Sequence, residues 1–268
     1  MPEALSPWTV LLLGWVGAAL SMTALWWVQV RTKDASPVDV AWAALLGVLA
    51  LFYAAVGAGD PQRRVILAVL GAAWAFRLAL YLLVTRAIGK PEDGRYQALR
   101  ASWGTNAQRN FFVFFQVQAA FDVVFSIPLL VVAYNRAPAP AWTDWAGAAV
   151  LAIAILGESI ADRQLARFRA EPANRGTTCR VGLWRYSRHP NYFFEWLHWW
   201  AYPLLAAGSP WWWVTLLGPA FMIYLLFKVT GIPATEAQAL RTRSDYADYQ
   251  RTTSAFVPWF PRRSPRTP

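Results

Sequence analysis

The chain reads as an all-α integral membrane protein with seven transmembrane helices. Three observations predict this. Of its 268 residues, 57 % are hydrophobic. Only 15 % are charged, against roughly 25 % in an ordinary soluble domain. And the apolar residues gather into runs long enough to cross a hydrocarbon core, which takes about 20 residues as a helix. The formal net charge is nevertheless +10, from 25 Lys+Arg against 15 Asp+Glu. So apolar a chain is not disordered, and so few charges do not make a soluble nucleic-acid binder. Its one cysteine, Cys179, excludes a disulfide framework and a cysteine-cluster metal site.

The spans run Trp8–Val30, Val38–Val56, Val65–Thr85, Phe111–Tyr134, Trp142–Ala161, Tyr192–Ala207 and Trp211–Val229. The second and sixth are short. Gly208-Ser209-Pro210 marks a turn between the last two. Pro128 and Pro203 fall inside spans, which membrane helices tolerate when neighbours satisfy the freed carbonyls. The first span lacks a preceding basic residue and exceeds a signal h-region in length, so it reads as a retained helix. The loops after the first, third and fifth spans, together with the C-terminal tail, hold 21 of the 25 basic residues. By the positive-inside rule the N-terminus is outside and the C-terminus cytoplasmic. No internal repeat breaks the chain, so residues 1–268 read as one domain, with 258–268 a mobile tail.

Ionisable residues at membrane depth are functional candidates by default. Here they are Asp39, Arg77, Asp122, Glu158, Asp162, Glu195 and His198, all but Asp122 in the cytoplasmic half. Asp122 reads as structural. The others imply a polar cavity opening toward the cytoplasm. Helical spacing supports convergence: Asp39 with Trp42, Arg77 with Tyr81, Glu158 with Asp162, Leu165 and Arg169, and Asn191 with Glu195 and His198. Seven arginines lie in the fifth loop, from Arg163 to Arg188. Arginine recognises phosphate bidentately. No Gly-x-Gly-x-x-Gly and no Walker-type loop is present, so a bound nucleotide would lie outside those designs. No Gly-x-Ser-x-Gly elbow and no base beside Cys179 point to nucleophilic catalysis. No metal site is expected, since His189 and His198 are the only histidines.

The stretch Gly182-Leu183-Trp184-Arg185-Tyr186-Ser187-Arg188-His189-Pro190-Asn191-Tyr192-Phe193-Phe194-Glu195 resembles a signature of the steroid 5α-reductase family. Sterol reductases and isoprenylcysteine carboxyl methyltransferases share its Arg-His-Pro-Asn-Tyr core. Glu158-x-x-x-Asp162, followed by Arg169, is similar to the reductases' NADPH-contacting arrangement. Lys90-Pro91-Glu92-Asp93-Gly94-Arg95-Tyr96, Asp39-x-x-Trp42 and the tail Tyr246-x-x-Tyr249 with Thr253–Trp259 resemble the bacterial branch. The resemblance covers most of the chain and is strongest from Glu158 to Pro258.

It implies seven transmembrane helices and NADPH-dependent reduction of a carbon–carbon double bond conjugated to a ketone, in a 3-oxo-Δ4-steroid or similar lipid enone. It further implies a multi-pass protein of a bacterial inner membrane with the cofactor facing the cytoplasm. Membrane lipids are its surroundings, and neither a nucleic acid nor an obligate protein partner is implied. The cofactor residues would be Arg95, Glu158, Asp162, Arg169, Arg180, Leu183, Tyr186, Arg188, His189, Asn191, Tyr246 and Tyr249. Trp42, Trp74 and Arg77 would meet the substrate. Asp39, Tyr81 and Glu195 would be catalytic. The animal enzymes carry a Gln-Glu pair on the second helix and a tyrosine on the third, whereas here Val38-Asp39 and Trp74 stand at those places. A carboxyl kept out of water can hold its proton and donate it to an enolate, and Asp39 or Glu195 would do so. The competing activity, an S-adenosylmethionine-dependent methyltransferase of the isoprenylcysteine type, uses a cofactor without phosphate and leaves the arginines unexplained.

Overall fold

The computed structural model describes residues 5–229 and 231–262. Among them it is helical, with no strand beyond an isolated parallel bridge between Ser187 and Ser254. Six helices are long and apolar enough to cross a membrane: Pro7–Thr32, Pro37–Val56, Pro61–Ala87, Gly94–Ala133, Trp142–Ala170 and Trp212–Thr242. The protein is thus a multi-pass membrane protein by length and composition. The expected sixth span, Tyr192–Ala207, is instead two short helices, α8 (Pro190–Trp199) and α9 (Ala201–Leu205). Pro203 has no N–H to give, and its ring crowds the carbonyl four residues back. That residue is Trp199, where α8 ends.

The remaining elements are α1 (Pro7–Thr32), α2 (Pro37–Val56), α3 (Pro61–Ile66), α4 (Ala72–Leu82), α5 (Gly94–Trp103), α6 (Ala107–Ala133), α7 (Trp142–Ala170), α10 (Leu217–Tyr224), α11 (Ile232–Thr242) and α12 (Tyr246–Thr252). A π-helical turn at Leu67–Gly71 joins α3 to α4, and another at Leu83–Ala87 extends α4. Local chemistry sets the ends. Ser6, Asp60 and Asp93 accept hydrogen bonds from the backbone N–H of Thr9, Gln62 and Arg95 at 3.1, 2.9 and 2.9 Å, which satisfies donors that each helix start leaves orphaned. Pro7, Pro37, Pro61 and Pro190 occupy first helical positions, where a missing N–H costs nothing. Pro128 stays inside an unbroken α6.

Contacts group the chain into two units. Unit 1 comprises residues 5–145 and Tyr202–Thr215. In it α6 packs along α1 and α2, and α2 along α4. Phe111, Phe115 and Ala119 of α6 meet Ala18 and Met22 of α1 and Val38 of α2. Apolar surface gains little from leaving lipid, so polar rungs help fix the register. Gln116 donates to the Thr23 hydroxyl at 3.0 Å, Gln29 to the Gln108 carbonyl oxygen of the side chain at 3.0 Å, and the Tyr53 and Ser126 hydroxyls stand 3.0 Å apart. At one end Arg63 is buried against Asp144, with Nε–Oδ1 at 2.6 Å and Nη2–Oδ2 at 3.0 Å. It also donates to the carbonyls of Ala137 and Pro138.

Unit 2 comprises residues 146–201 and 216–262. α7 and α8 approach closely at Gly157, where a Cβ would stand 2.3 Å from the Phe194 ring. The Trp196 indole donates to the Pro219 carbonyl at 3.1 Å and ties α8 to α10. Phe256 fills an aromatic cluster with Phe193, Trp196 and Phe227 at centroid distances of 5.7, 5.6 and 5.4 Å. This anchors the segment after α12. Of the tail expected to be mobile, residues 258–262 are placed, with Trp259 N–H donating to the Tyr186 carbonyl at 2.9 Å. Residues 263–268 lie outside the described residues.

Candidate functional site

In unit 2 the Gly182–Glu195 stretch begins with a 3₁₀ turn, Gly182–Arg185. Gly182 has φ +57°, and a Cβ there would lie 2.2 Å from the Gln164 side chain. The positive φ is what calls for glycine here, and a side chain would also displace the Gln164 amide. The turn is fastened to α7 by Leu183 N–H donating to Gln164 Oε1 at 2.9 Å and by the Trp184 indole donating to the Ala161 carbonyl at 2.9 Å. From the other side the Tyr249 hydroxyl of α12 donates to the carbonyls of Trp184 and Ser187. Burial holds that phenol above its ordinary pKa, so it stays a donor. The expectation that Tyr249 touches a cofactor meets a residue that braces the motif loop.

The next three residues are fixed as firmly. Ser187 donates to the Phe256 carbonyl at 2.7 Å and accepts from His189 N–H at 3.1 Å. Arg188 donates from Nε to Glu236 Oε1 at 2.7 Å and from Nη1 to the carbonyls of Gln250 and Thr253 at 3.0 and 2.6 Å. His189, almost fully buried, sets its Nε2 3.1 Å from Glu236 Oε1 and stacks on Tyr192 at 5.3 Å and 5°. Gln250 donates to Glu236 Oε2 at 2.7 Å. Glu236 of α11 is thus the hub of the motif, and the sequence reading missed it. The signal was faint: it is the single acid in Ile232–Thr242.

Asn191 and Glu195 leave this turn on α8. The Asn191 amide reaches Asp162 Oδ1 at 3.5 Å. Along α7, Glu158, Asp162 and Leu165 of the expected stripe are buried and Arg169 is exposed. Glu195 is 9 % exposed, and the His198 ring, using Nδ1, lies 2.7 Å from the Glu195 carbonyl oxygen. Arg180 pairs with Asp248 at 2.9 Å and donates to the Asp245 carbonyl at 2.7 Å, lying 5.3 Å over the Tyr249 ring. Tyr246 is buried beside Tyr249, and Tyr186 is half-buried with its ring edge toward Phe260.

Arg163, Arg167, Arg169 and Arg175 are exposed, and no carboxylate among the described residues pairs with them. Unit 2 therefore combines buried hydrogen-bonding side chains with uncompensated positive charge.

In unit 1 the other expected residues lie on α2, α4 and α5. Trp42 and Tyr81 pack against the Ala43–Ala79–Leu82 cluster between α2 and α4. Trp74 is buried, and Arg77 and Tyr81 are half-buried. Asp39 accepts from the Tyr96 hydroxyl at 2.6 Å, from Arg95 Nη2 at 2.7 Å and from Arg86 at 3.5 Å. Asp39, expected as a proton donor, thus stands in an ion pair with Arg95. Arg95 is doubly engaged, holding Asp93 at 3.0 and 3.1 Å, and its side chain remains 55 % exposed. That pairing pulls the Asp93 carboxyl below its ordinary pKa. Asp122 lies fully buried in α6.

No solved structure matches the chain. An uncharacterized protein of Schizosaccharomyces pombe is 27 % identical over 221 residues, which is 72 % of this chain and 64 % of that protein. The chain thus spans somewhat less than two thirds of that relative's length. The match to a family runs from the end of α1 to the segment after α12, over residues 25–253, and so takes in both groups of residues. The chain belongs to the family described as Protein of unknown function (DUF1295).

Proposed function

We propose that this protein is an NADPH-dependent membrane reductase. In this reading it transfers a hydride to the conjugated carbon–carbon double bond of a 3-oxo-Δ4-steroid or a similar lipid enone. The carrying observation is unit 2 itself: buried Glu158, Asp162 and Glu195 with Asn191 on the Arg-His-Pro-Asn-Tyr turn, beside exposed arginines that no carboxylate neutralises. A phosphate-rich cofactor accounts for that charge, and a cofactor without phosphate does not. The proposal includes seven spans, with the broken α8–α9 stretch as one crossing. It places the N-terminus outside and the C-terminus at the cytoplasmic face of a bacterial inner membrane, from the sidedness of 21 of 25 basic residues.

NADPH supplies the hydride when bound. Arg169 and its exposed neighbours take the phosphates. Asp162 and Asn191 accept and donate to hydroxyl and amide groups, with Glu195 next along α8. As negative charge develops on the substrate ketone, a hydrogen-bond donor aimed at that oxygen lowers the barrier, most in a site poor in water. Asp39, already accepting three donors, suits the role of orienting Tyr96 and Arg95. Tyr81 and Glu195 remain to give the proton, with Trp42, Trp74 and Arg77 toward the lipid substrate.

The test is direct. Purified protein in detergent is expected to be stabilised by NADPH and to oxidise it in the presence of a progesterone-like enone. Stabilisation by S-adenosylmethionine and not by NADPH would replace this reading with the methyltransferase one.

A further inference from the structure

Beyond the residues assigned to the cofactor, unit 2 holds a cavity of about 490 Å³ lined by the end of α12 and the segment that follows it. Its lining includes Arg188, Arg251, Thr252, Trp259, Phe260 and Arg262. Of the proposed cofactor residues only Arg188 touches it, and that guanidinium is already held by Glu236 and two carbonyls.

The cavity has a fixed wall. After α12 the chain folds back as a strap. Arg188 N–H donates to the Ser254 carbonyl at 2.8 Å, Trp259 N–H to Tyr186 at 2.9 Å, and Arg262 N–H to the Thr252 carbonyl at 2.8 Å. The strap thereby brings Arg262 back beside the end of α12, next to Arg251.

The chemistry of the lining is one-sided. No Asp or Glu lines it. The Arg251 side chain is 68 % exposed and meets a carboxylate only at 3.5 Å, that of Asp248. Arg262 is exposed, and no carboxylate among the described residues pairs with it. Beside this charge stand Trp259 and Phe260, 70 % and 76 % exposed. Arginine attracts phosphate. Tryptophan and neighbouring basic residues together suit the boundary between headgroups and acyl chains. A free phosphate would satisfy the arginines and leave both rings in water. A phospholipid would engage the arginines with its headgroup and cover the rings with its glycerol and acyl portion.

We propose that the Arg251–Arg262 cavity, rimmed by Trp259 and Phe260, is a binding site for the headgroup of an anionic phospholipid. The site docks the C-terminal strap onto the surface of the bilayer that the same chain spans. It does not depend on the cofactor assignment, and its test reads no enzymatic activity.

The test titrates dioctanoyl phosphatidylglycerol into the full-length protein in neutral detergent and follows the thermal midpoint. Matched arms use dioctanoyl phosphatidylcholine and inorganic phosphate. Phosphatidylglycerol is expected to raise the midpoint saturably, and the other two are not. Arg251→Gln and Arg262→Gln are each expected to weaken the phosphatidylglycerol response about fivefold, in keeping with roughly 1 kcal/mol per basic residue near an anionic surface. Trp259→Ala is expected to weaken it as well. If Arg262→Gln fails to fold, Arg251→Gln decides alone, since its side chain is mostly in solvent. The proposal is overturned if phosphate alone reproduces the shift, if phosphatidylcholine matches phosphatidylglycerol, or if the arginine variants respond like the unaltered protein.

Discussion

Arg63 in unit 1 and Arg169 in unit 2 show two uses of the same side chain. Arg63 is 1 % exposed and spends its donors on both Asp144 oxygens and two carbonyls. Arg100 is likewise held by Glu92 at 2.6 Å and Gln29 at 3.0 Å, and Arg64 by the carbonyls of Ala54 and Ala55. Arg169 is exposed and, like Arg163, Arg167 and Arg175, has no carboxylate partner among the described residues. The charge of Arg63, Arg64 and Arg100 is closed within unit 1, where it holds helix ends and loops together. The charge of Arg163, Arg167, Arg169 and Arg175 in unit 2 is left open, although Arg180 and Arg188 of the same unit are held by Asp248 and Glu236. Loss of an arginine should therefore cost stability in the first set and ligand affinity in the second.

The largest test is Arg63→Ala. Removing one partner of a buried pair strands the other, at about 3–5 kcal/mol. A strongly lowered thermal midpoint in detergent is expected, and an unchanged one would break the comparison. Next comes Arg169→Ala. Charge-assisted hydrogen bonds contribute about 1.5–3 kcal/mol, so NADPH affinity should fall roughly tenfold to a hundredfold, with NADH much less affected and the midpoint unmoved. Equal loss for both nucleotides would reject a 2′-phosphate role.

Two smaller tests probe how unit 2 positions its motif. Gly157→Ala forces a methyl into the Phe194 ring, and overpacking of this kind costs about 1–3 kcal/mol. A midpoint equal to that of the unaltered protein would mean that α7 and α8 separate without penalty. Tyr249→Phe removes the one hydroxyl donor shared by the carbonyls of Trp184 and Ser187 and should cost about 1 kcal/mol. It also carries a pH signature. Burial raises the Tyr249 phenol above its ordinary 10.0, so the folded state favours the protonated form. That contribution is fully present below about pH 10 and is lost as pH rises beyond it. Alkaline unfolding of the unaltered protein should be steeper above pH 10 than that of Tyr249→Phe, and coincident curves would remove Tyr249 from this role.

Much of the fold was legible because hydropathy needs only local composition. Six of the seven expected runs are helices of spanning length. The Tyr192–Ala207 run folds as two short helices, a break that composition does not report. Pro128 and Pro203 look equivalent in sequence, yet α6 runs through the first while α8 stops at Trp199, four residues before the second. At the site, helical periodicity put Glu158, Asp162, Leu165 and Arg169 on one stripe, of which the first three are buried and Arg169 is exposed. Glu236 did not follow, because its partners Arg188, His189 and Gln250 are 48, 47 and 14 residues away. The contacts of Asp39 did not follow either, because Arg95 and Tyr96 lie 56 and 57 residues on.

The sequence by itself determined a multi-pass helical protein, the crowding of arginines after residue 160, and the polar stripe of α7. Each depends on counts and spacings along one chain. The tertiary structure decided which of those arginines are neutralised, which acid organises the Arg-His-Pro-Asn-Tyr turn, and that the strap returns Arg262 to the end of α12. Those outcomes hang on pairings over distances of a few ångströms between residues far apart in the chain, and no local pattern encodes them.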